Sequence, residues 1–166
     1  MAWPFRPNDR HALDGRKEVR LEIEIAASPE TVFALLTEAA GMKTWLSDLV
    51  VTDCRPGGIL RITGPRGGTI EGSYLEIVPH RRVVFTWGGI EGMAPGETTV
   101  EFDLEPRGRG TLLRLRHHGL PEPRLEFHYQ GWAVFALPKL KESAEGRPPA
   151  TRAMTDYVEA QDRGRA

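Results

Sequence analysis

The sequence is poor in cysteine: Cys54 is the single one among 166 residues. That excludes an internal disulfide and fits a reducing compartment. No long apolar run is present, so no helical membrane span is expected. An excess of one charge is also missing. The 22 Lys+Arg stand against 23 Asp+Glu, for a net charge of −1. Nothing therefore steers the chain toward nucleic acid or acidic lipid. The opening residues, MAWPFRPNDRHALDGR, lack the apolar core of a signal peptide, so a cytoplasmic location is expected. Neither His-x-x-x-His nor a paired-cysteine spacing occurs, so no metal and no cofactor is expected. The glycine clusters at 57–58, 67–68 and 88–92 fall between strands rather than before helices, which excludes a phosphate-binding loop. Internal repeats are absent as well.

What remains is an ordinary globular composition, 40% apolar and 27% charged, in a chain of one-domain length. Residues 1–16 read as a loose arm. From residue 17, Val19, Leu21, Ile23 and Ile25 alternate with Glu18, Arg20, Glu22 and Glu24, the pattern of a half-buried strand. Ser28-Pro29-Glu30 then caps a short helix carrying Val32, Phe33, Leu35 and Leu36. A second short helix follows with Met42, Trp45 and Leu46. Strands are predicted over 49–54, 59–63, 69–78, 82–87, 98–104 and 111–118, separated by turn residues. The loop 88–96 holds four glycines in nine residues and reads as mobile. In the last hairpin, matching apolar faces places Asp103 beside Arg114, Glu101 beside Arg116 and His117 beside Val100. From 124 to 142 the period becomes helical, with Leu125, Tyr129, Trp132, Phe135 or Ala136, and Leu140 on one stripe. Pro138 predicts a kink or local break in that helix. A linker at 146–149 precedes a short tail helix over 151–161, with Met154, Tyr157 and Val158 on one side. Two arrangements of the tail stand open: folded back over its own domain, or exchanged within a homodimer.

Four stretches, in this order, resemble a known family: SPETVFALLTEAAGMKTWL, GSYLEIVPHRRVVFTW, TLLRLRHHGLP and HYQGWAVFALPKL. They are similar to the SRPBCC superfamily, with its START-like, birch-pollen-allergen-like helix-grip fold. Within it they resemble the family of the activator of the heat-shock-protein-90 ATPase. The resemblance implies an α+β fold over residues 17–145: a curved antiparallel sheet of about seven strands, two short helices, and one long C-terminal helix across the sheet. It also implies an internal pocket between sheet and helix. The superfamily spans lipid carriers, polyketide cyclases, hormone receptors and cochaperone domains, so the fold alone leaves the function open. The eukaryotic cochaperones carry a further N-terminal domain where this sequence has a short arm, which counts against chaperone activation.

The expected function is the binding of a small apolar molecule between sheet and helix. Trp45, Trp87, Phe102, His117, Trp132 and Phe135 are the candidate ligand-binding residues. Each of the three tryptophans reads either as core filler or as cavity wall. His117 reads as a core histidine with a hydrogen bond or as a polar anchor. His118 points to the other face, so the pair cannot share an ion. Glu76 is placed on the outer face unless a bulge near Gly72 changes its parity. No catalytic residue is assigned. A cyclase or hydrolase would have to use His117, or less directly Tyr74. A protein-interaction module would need an apolar patch, for which Met154, Tyr157 and Val158 are the candidates.

Overall fold

The structure is a computed structural model that describes residues 18–164. The arm expected over 1–16 lies outside the described residues. The strands are β1 (Glu18–Ile25), β2 (Leu49–Thr52), β3 (Ile59–Thr63), β4 (Thr69–Val78), β5 (Arg82–Trp87), β6 (Thr98–Arg107) and β7 (Gly110–His118). They form one seven-stranded antiparallel sheet in the order β1-β7-β6-β5-β4-β3-β2. Strand β1 is followed by α1 (Pro29–Thr37) and α2 (Ala39–Met42). The Ser28 side chain accepts a hydrogen bond from the Thr31 backbone N–H, which starts α1. Helix α1 packs beside β6 and β7 at one end of the sheet.

Period-two alternation builds the concave face. Val19, Leu21, Ile23 and Ile25 of β1 are all buried, as are Val83, Phe85 and Trp87 of β5. Val100, Phe102 and Leu104 of β6 meet His117, Leu115 and Leu113 of β7 on the same face. The predicted register holds: Asp103 pairs with Arg114, Glu101 with Arg116 and Val100 with His117. The ion pairs do not follow it throughout. Asp103 binds Arg82, its register partner on β5, at 2.8 Å, and Arg114 reaches diagonally to Glu105 at 2.7 Å. Long arginine side chains reach diagonal partners as easily as direct ones.

Two acidic residues of the outer face are covered rather than wet. Glu18 is buried, held by Arg116 and Arg20 at 2.8 and 2.7 Å. The Glu101 side chain is 13% exposed and collects Arg82, Arg116 and His118. Burial pushes the Glu101 carboxyl up. The hydrogen bonds from Arg82 and Arg116 outweigh it and hold the carboxyl below its usual range.

Strand β4 is irregular at two places. At Gly72 the Thr86 carbonyl oxygen lies 1.7 Å from where a Cβ would sit, so only glycine fits. The register shift falls further on, between Tyr74 and Glu76. The extra residue, Leu75, is exposed. Without that shift Glu76 would share the core face of Tyr74; with it, Glu76 reaches outward to Arg82 at 3.0 Å. The glycine-rich loop is tied by backbone bonds, Gly89 to Met93 and Met93 to Ile90, and it buries Met93. Gly88 is required there, because the Ala94 carbonyl oxygen lies 1.9 Å from its would-be Cβ. The loop forms a hydrogen-bonded turn that packs Ile90 against the core.

The closing helix crosses the concave face in three parts: α3 (Leu125–Gln130), a π-helical turn at Gly131–Ala136, and α4 (Leu137–Ala144). The expected break is present, one turn ahead of Pro138. In the widened turn the Leu137 N–H donates to the Trp132 carbonyl, five residues back. Pro138, with no N–H to give, sits in the first turn of α4, where none is needed. Ala133, Ala136, Leu137 and Leu140 face the sheet, and Phe135 is turned to the side of the helix.

The tail helix α5 (Ala153–Gly164) folds back over its own domain. Ala153 N–H donates to the Trp45 carbonyl and Met154 N–H to that of Leu46. Lys139–Asp156 at 2.9 Å and Arg66–Asp162 fasten its polar side. Among the described residues no helix is long and apolar enough to cross a membrane.

Candidate functional site

His117 is fully buried on the concave face, near the end of β7. Trp132, from the π turn, lies over it. Trp132 Nε1–H donates to His117 Nδ1 at 3.0 Å, and an indole N–H can only donate. Nδ1 is therefore the bare nitrogen, and the ring proton is on Nε2. That proton goes to Thr98 Oγ1 at 2.8 Å, and the Thr98 hydroxyl donates onward to the Trp87 carbonyl at 2.7 Å. The chain Trp132–His117–Thr98–Trp87 is closed, with both histidine nitrogens used. Burial, reinforced by His128 and His118, holds the His117 pKa well below its ordinary value. The imidazole is neutral and serves as a fixed joint between helix and sheet.

Around this joint the aromatic rings form a layer. Trp87 and Trp132 lie with centroids 5.3 Å apart, and Phe102 meets Trp132 edge-on at 5.8 Å. His128, one turn before Trp132, stands 5.0 Å from His117. Its Nδ1–H donates to the Arg124 carbonyl at 2.9 Å. Burial lowers its pKa as well.

Beside this layer lies an apolar cavity of about 60 Å³. Its floor is Trp87 with Ile70, and its roof is Trp132 and Phe135 of the closing helix. Ala153, Met154 and Tyr157 of α5 form the outer wall, and Ile90 enters from the glycine-rich loop. Tyr157 meets Phe127 and Phe135 edge-on, at 4.8 and 5.6 Å. The same three rings line an outer groove between α3 and α5.

Of the candidate residues, Trp87, Trp132 and Phe135 line the cavity. Trp45, Phe102 and His117 lie behind its walls. Trp45 Nε1–H donates to the Leu35 carbonyl at 2.9 Å, joining α1 to the segment that receives α5. Phe102 backs Trp132. The walls contributed by Ile90, Phe127 and Tyr157 were outside the sequence-based set. Tyr157 does carry a readable signal: it is the aromatic on the apolar side of the tail helix. Phe127 carries none, because it lies off the main stripe and meets the cavity only through the local geometry of the closing helix.

Other candidates lead away from chemistry. Tyr74 is buried, and its hydroxyl pairs with Thr52 at 2.6 Å. Burial, partly offset by that bond, pushes its pKa up to about 12. Desolvation likewise raises the Cys54 thiol, the opposite of an activated nucleophile. Among the described residues no cluster of three His, Cys, Asp or Glu side chains is placed to hold a metal ion.

The comparisons with known proteins agree with this architecture. The family model described as "Activator of Hsp90 ATPase homolog 1-like protein" matches residues 26–145. An AHSA1-like protein from Rhizobium etli shares 38% identity over 81% of this chain and 85% of its own, with a TM-score of 0.64. The Aha1 dimer from Colwellia psychrerythraea shares 25% identity over 77% of this chain and 96% of its own, with a TM-score of 0.68. CalU16 from Micromonospora echinospora shares 26% identity over 89% and 83%, also with a TM-score of 0.68. No curated protein matches the sequence. A model match over most of the chain, on a seven-stranded sheet closed by a C-terminal helix, means that the protein belongs to the activator of Hsp90 ATPase homolog 1-like family of the SRPBCC superfamily.

Proposed function

We propose that the protein binds a small apolar molecule between the sheet and the closing helix. The observation that carries this reading is the cavity itself, walled by Trp87, Trp132 and Phe135 and free of charged side chains. In this reading those three residues touch the ligand, while Phe102, His117 and Trp45 hold the walls in place. A cyclase or hydrolase would need His117 to move a proton, and both its nitrogens are committed to Trp132 and Thr98.

Native mass spectrometry of protein purified gently from its own host tests the proposal. The expected result is a retained small molecule that is lost or weakened in Trp132→Ala. An exposed substitution on the outer face, Glu105→Ala, leaves retention unchanged. Glu101→Ala is unsuitable as that control, since its carboxylate anchors three partners. A wild-type protein that carries no ligand, and takes up none from an extract of the host's small molecules, overturns the reading.

A second reading, a protein-interaction module, is favoured by a different surface. Leu49 and Val51 on edge strand β2, with Ile59 on β3 and Leu75 on β4, are exposed large apolar side chains. Met154 and Tyr157 do not supply such a patch, because α5 turns them into the cavity wall. In this reading the β2 side of the sheet meets a protein surface, a second copy of the chain included.

A further inference from the structure

Two buried polar atoms, on residues that line the cavity, lack partners. Trp87 Nε1–H donates to nothing and His128 Nε2 accepts from nothing, and both atoms are buried. Trp87 is 6% exposed and His128 4%, and both residues line the same cavity. Their hydrogen-bonding types are complementary. The indole N–H can only donate. His128 gives its Nδ1 proton to the Arg124 carbonyl, so Nε2 presents a lone pair. Both rings flank His117, at 5.8 Å for Trp87 and 5.0 Å for His128. His117 shows what this fold does with a buried histidine it must satisfy alone: it supplies a partner for each nitrogen. Buried donors and acceptors are seldom left unmatched, and an exception calls for an occupant.

The chemistry of that occupant is restricted. The lining carries no charged side chain, so a carboxylate or ammonium would be buried without a counter-charge. The group required is uncharged, accepts from an indole and donates to an imidazole. A hydroxyl does both through one oxygen, and a cavity of about 60 Å³ favours the smallest such group. Beyond it, the rings of Phe127, Phe135 and Tyr157 lead to the outer groove and leave an apolar path for the rest of the molecule.

We propose that the ligand is an alcohol or phenol bound hydroxyl-first, its oxygen bridging Trp87 Nε1 and His128 Nε2 and its apolar body lying against Trp132 and Phe135. This rests on the cavity reading above and adds the polar end of the ligand to it. Phenol and toluene, alike in shape and different in the one group, are the probes. Each is titrated by ligand-observed NMR, with the indole N–H signals of 15N-labelled protein followed in parallel. Phenol is expected to bind about tenfold more tightly than toluene, the scale of a matched against an unmatched buried hydrogen bond. It is also expected to shift one indole signal, the one missing in Trp87→Phe. The preference for phenol falls to near unity in Trp87→Phe and in His128→Leu. Equal binding of the two probes to the wild type overturns the inference and leaves the cavity reading standing; a fixed water bridging the two atoms gives that result. Failure of both probes to bind overturns both. Should a variant not fold, the wild type decides: an indole signal that moves with phenol and not with toluene supports the bridge, and its absence removes it.

Discussion

At the scale of single residues, the buried histidines set the response to acid. His117 and His128 both have pKa values lowered mainly by burial. The unfolded chain takes up their protons near pH 6.5, while the folded chain does so only at lower pH. Between these limits the unfolded state binds more protons, so stability falls as pH drops below about 6.5, by up to about 1.4 kcal/mol per pH unit for each histidine. Urea unfolding between pH 7 and 5 measures the slope, and His128→Leu is expected to remove one histidine's share of it. The lowered carboxyls, Glu101 among them, add their own loss only below their unfolded pKa, near 4.3. This behaviour was half visible in the sequence. Strand parity put His117 on the core face, beside Val100. Its partners were not visible, because Trp132 and Thr98 come from the π turn and the start of β6, and no spacing rule connects them. Burial of Glu18 and Glu101 was hidden for a related reason: alternation reports which face a side chain takes, not how densely arginines crowd over it.

At the scale of elements, most strands could be read because each buries one face, and a one-residue slip would expose the whole row. The irregular pieces were legible only in part: Pro138 announces a break in the closing helix but not its π form, and a bulge is suggested near Gly72 rather than after Tyr74. The shift after Tyr74 turns Glu76 outward to Arg82, and the widened turn at Gly131–Ala136 carries Trp132 and Phe135 to the cavity. Helix α5 is the other such piece. Its apolar side could equally have covered its own domain or another surface, and the bonds from Ala153 and Met154 to Trp45 and Leu46 show that it covers its own. Deleting residues 150–166 removes the wall formed by Ala153, Met154 and Tyr157. The expected cost is about 3 kcal/mol, from the apolar area of Met154 and Tyr157 returned to water. Tryptophan emission is expected to shift to the red as Trp87 and Trp132 gain solvent. Chemical denaturation and emission spectra of the shortened protein check both. A shortened protein of unchanged stability and emission would mean that α5 is not the wall.

At the scale of the whole molecule, the sheet has a buried concave face and an outer face that is charged over β6 and β7, while near β2 exposed Leu49, Val51 and Ile59 surround the Arg61–Glu71 pair. If the interaction reading holds, the apolar end associates. The protein is then expected to run as a dimer at micromolar concentration by light scattering, as is described for the relative from Colwellia psychrerythraea. Leu49→Glu with Val51→Glu should return it to monomer. A wild-type monomer across the same range would separate the chain from that relative's assembly. The position of the wall helix has a consequence of another kind. The stretch matched by the family model ends at residue 145, and α5 begins at Ala153. One wall of the cavity is thus carried by a helix of 12 residues that lies outside the matched stretch. Sequence change confined to that helix would reshape the chamber while the sheet, the closing helix and the His117 joint stay as they are.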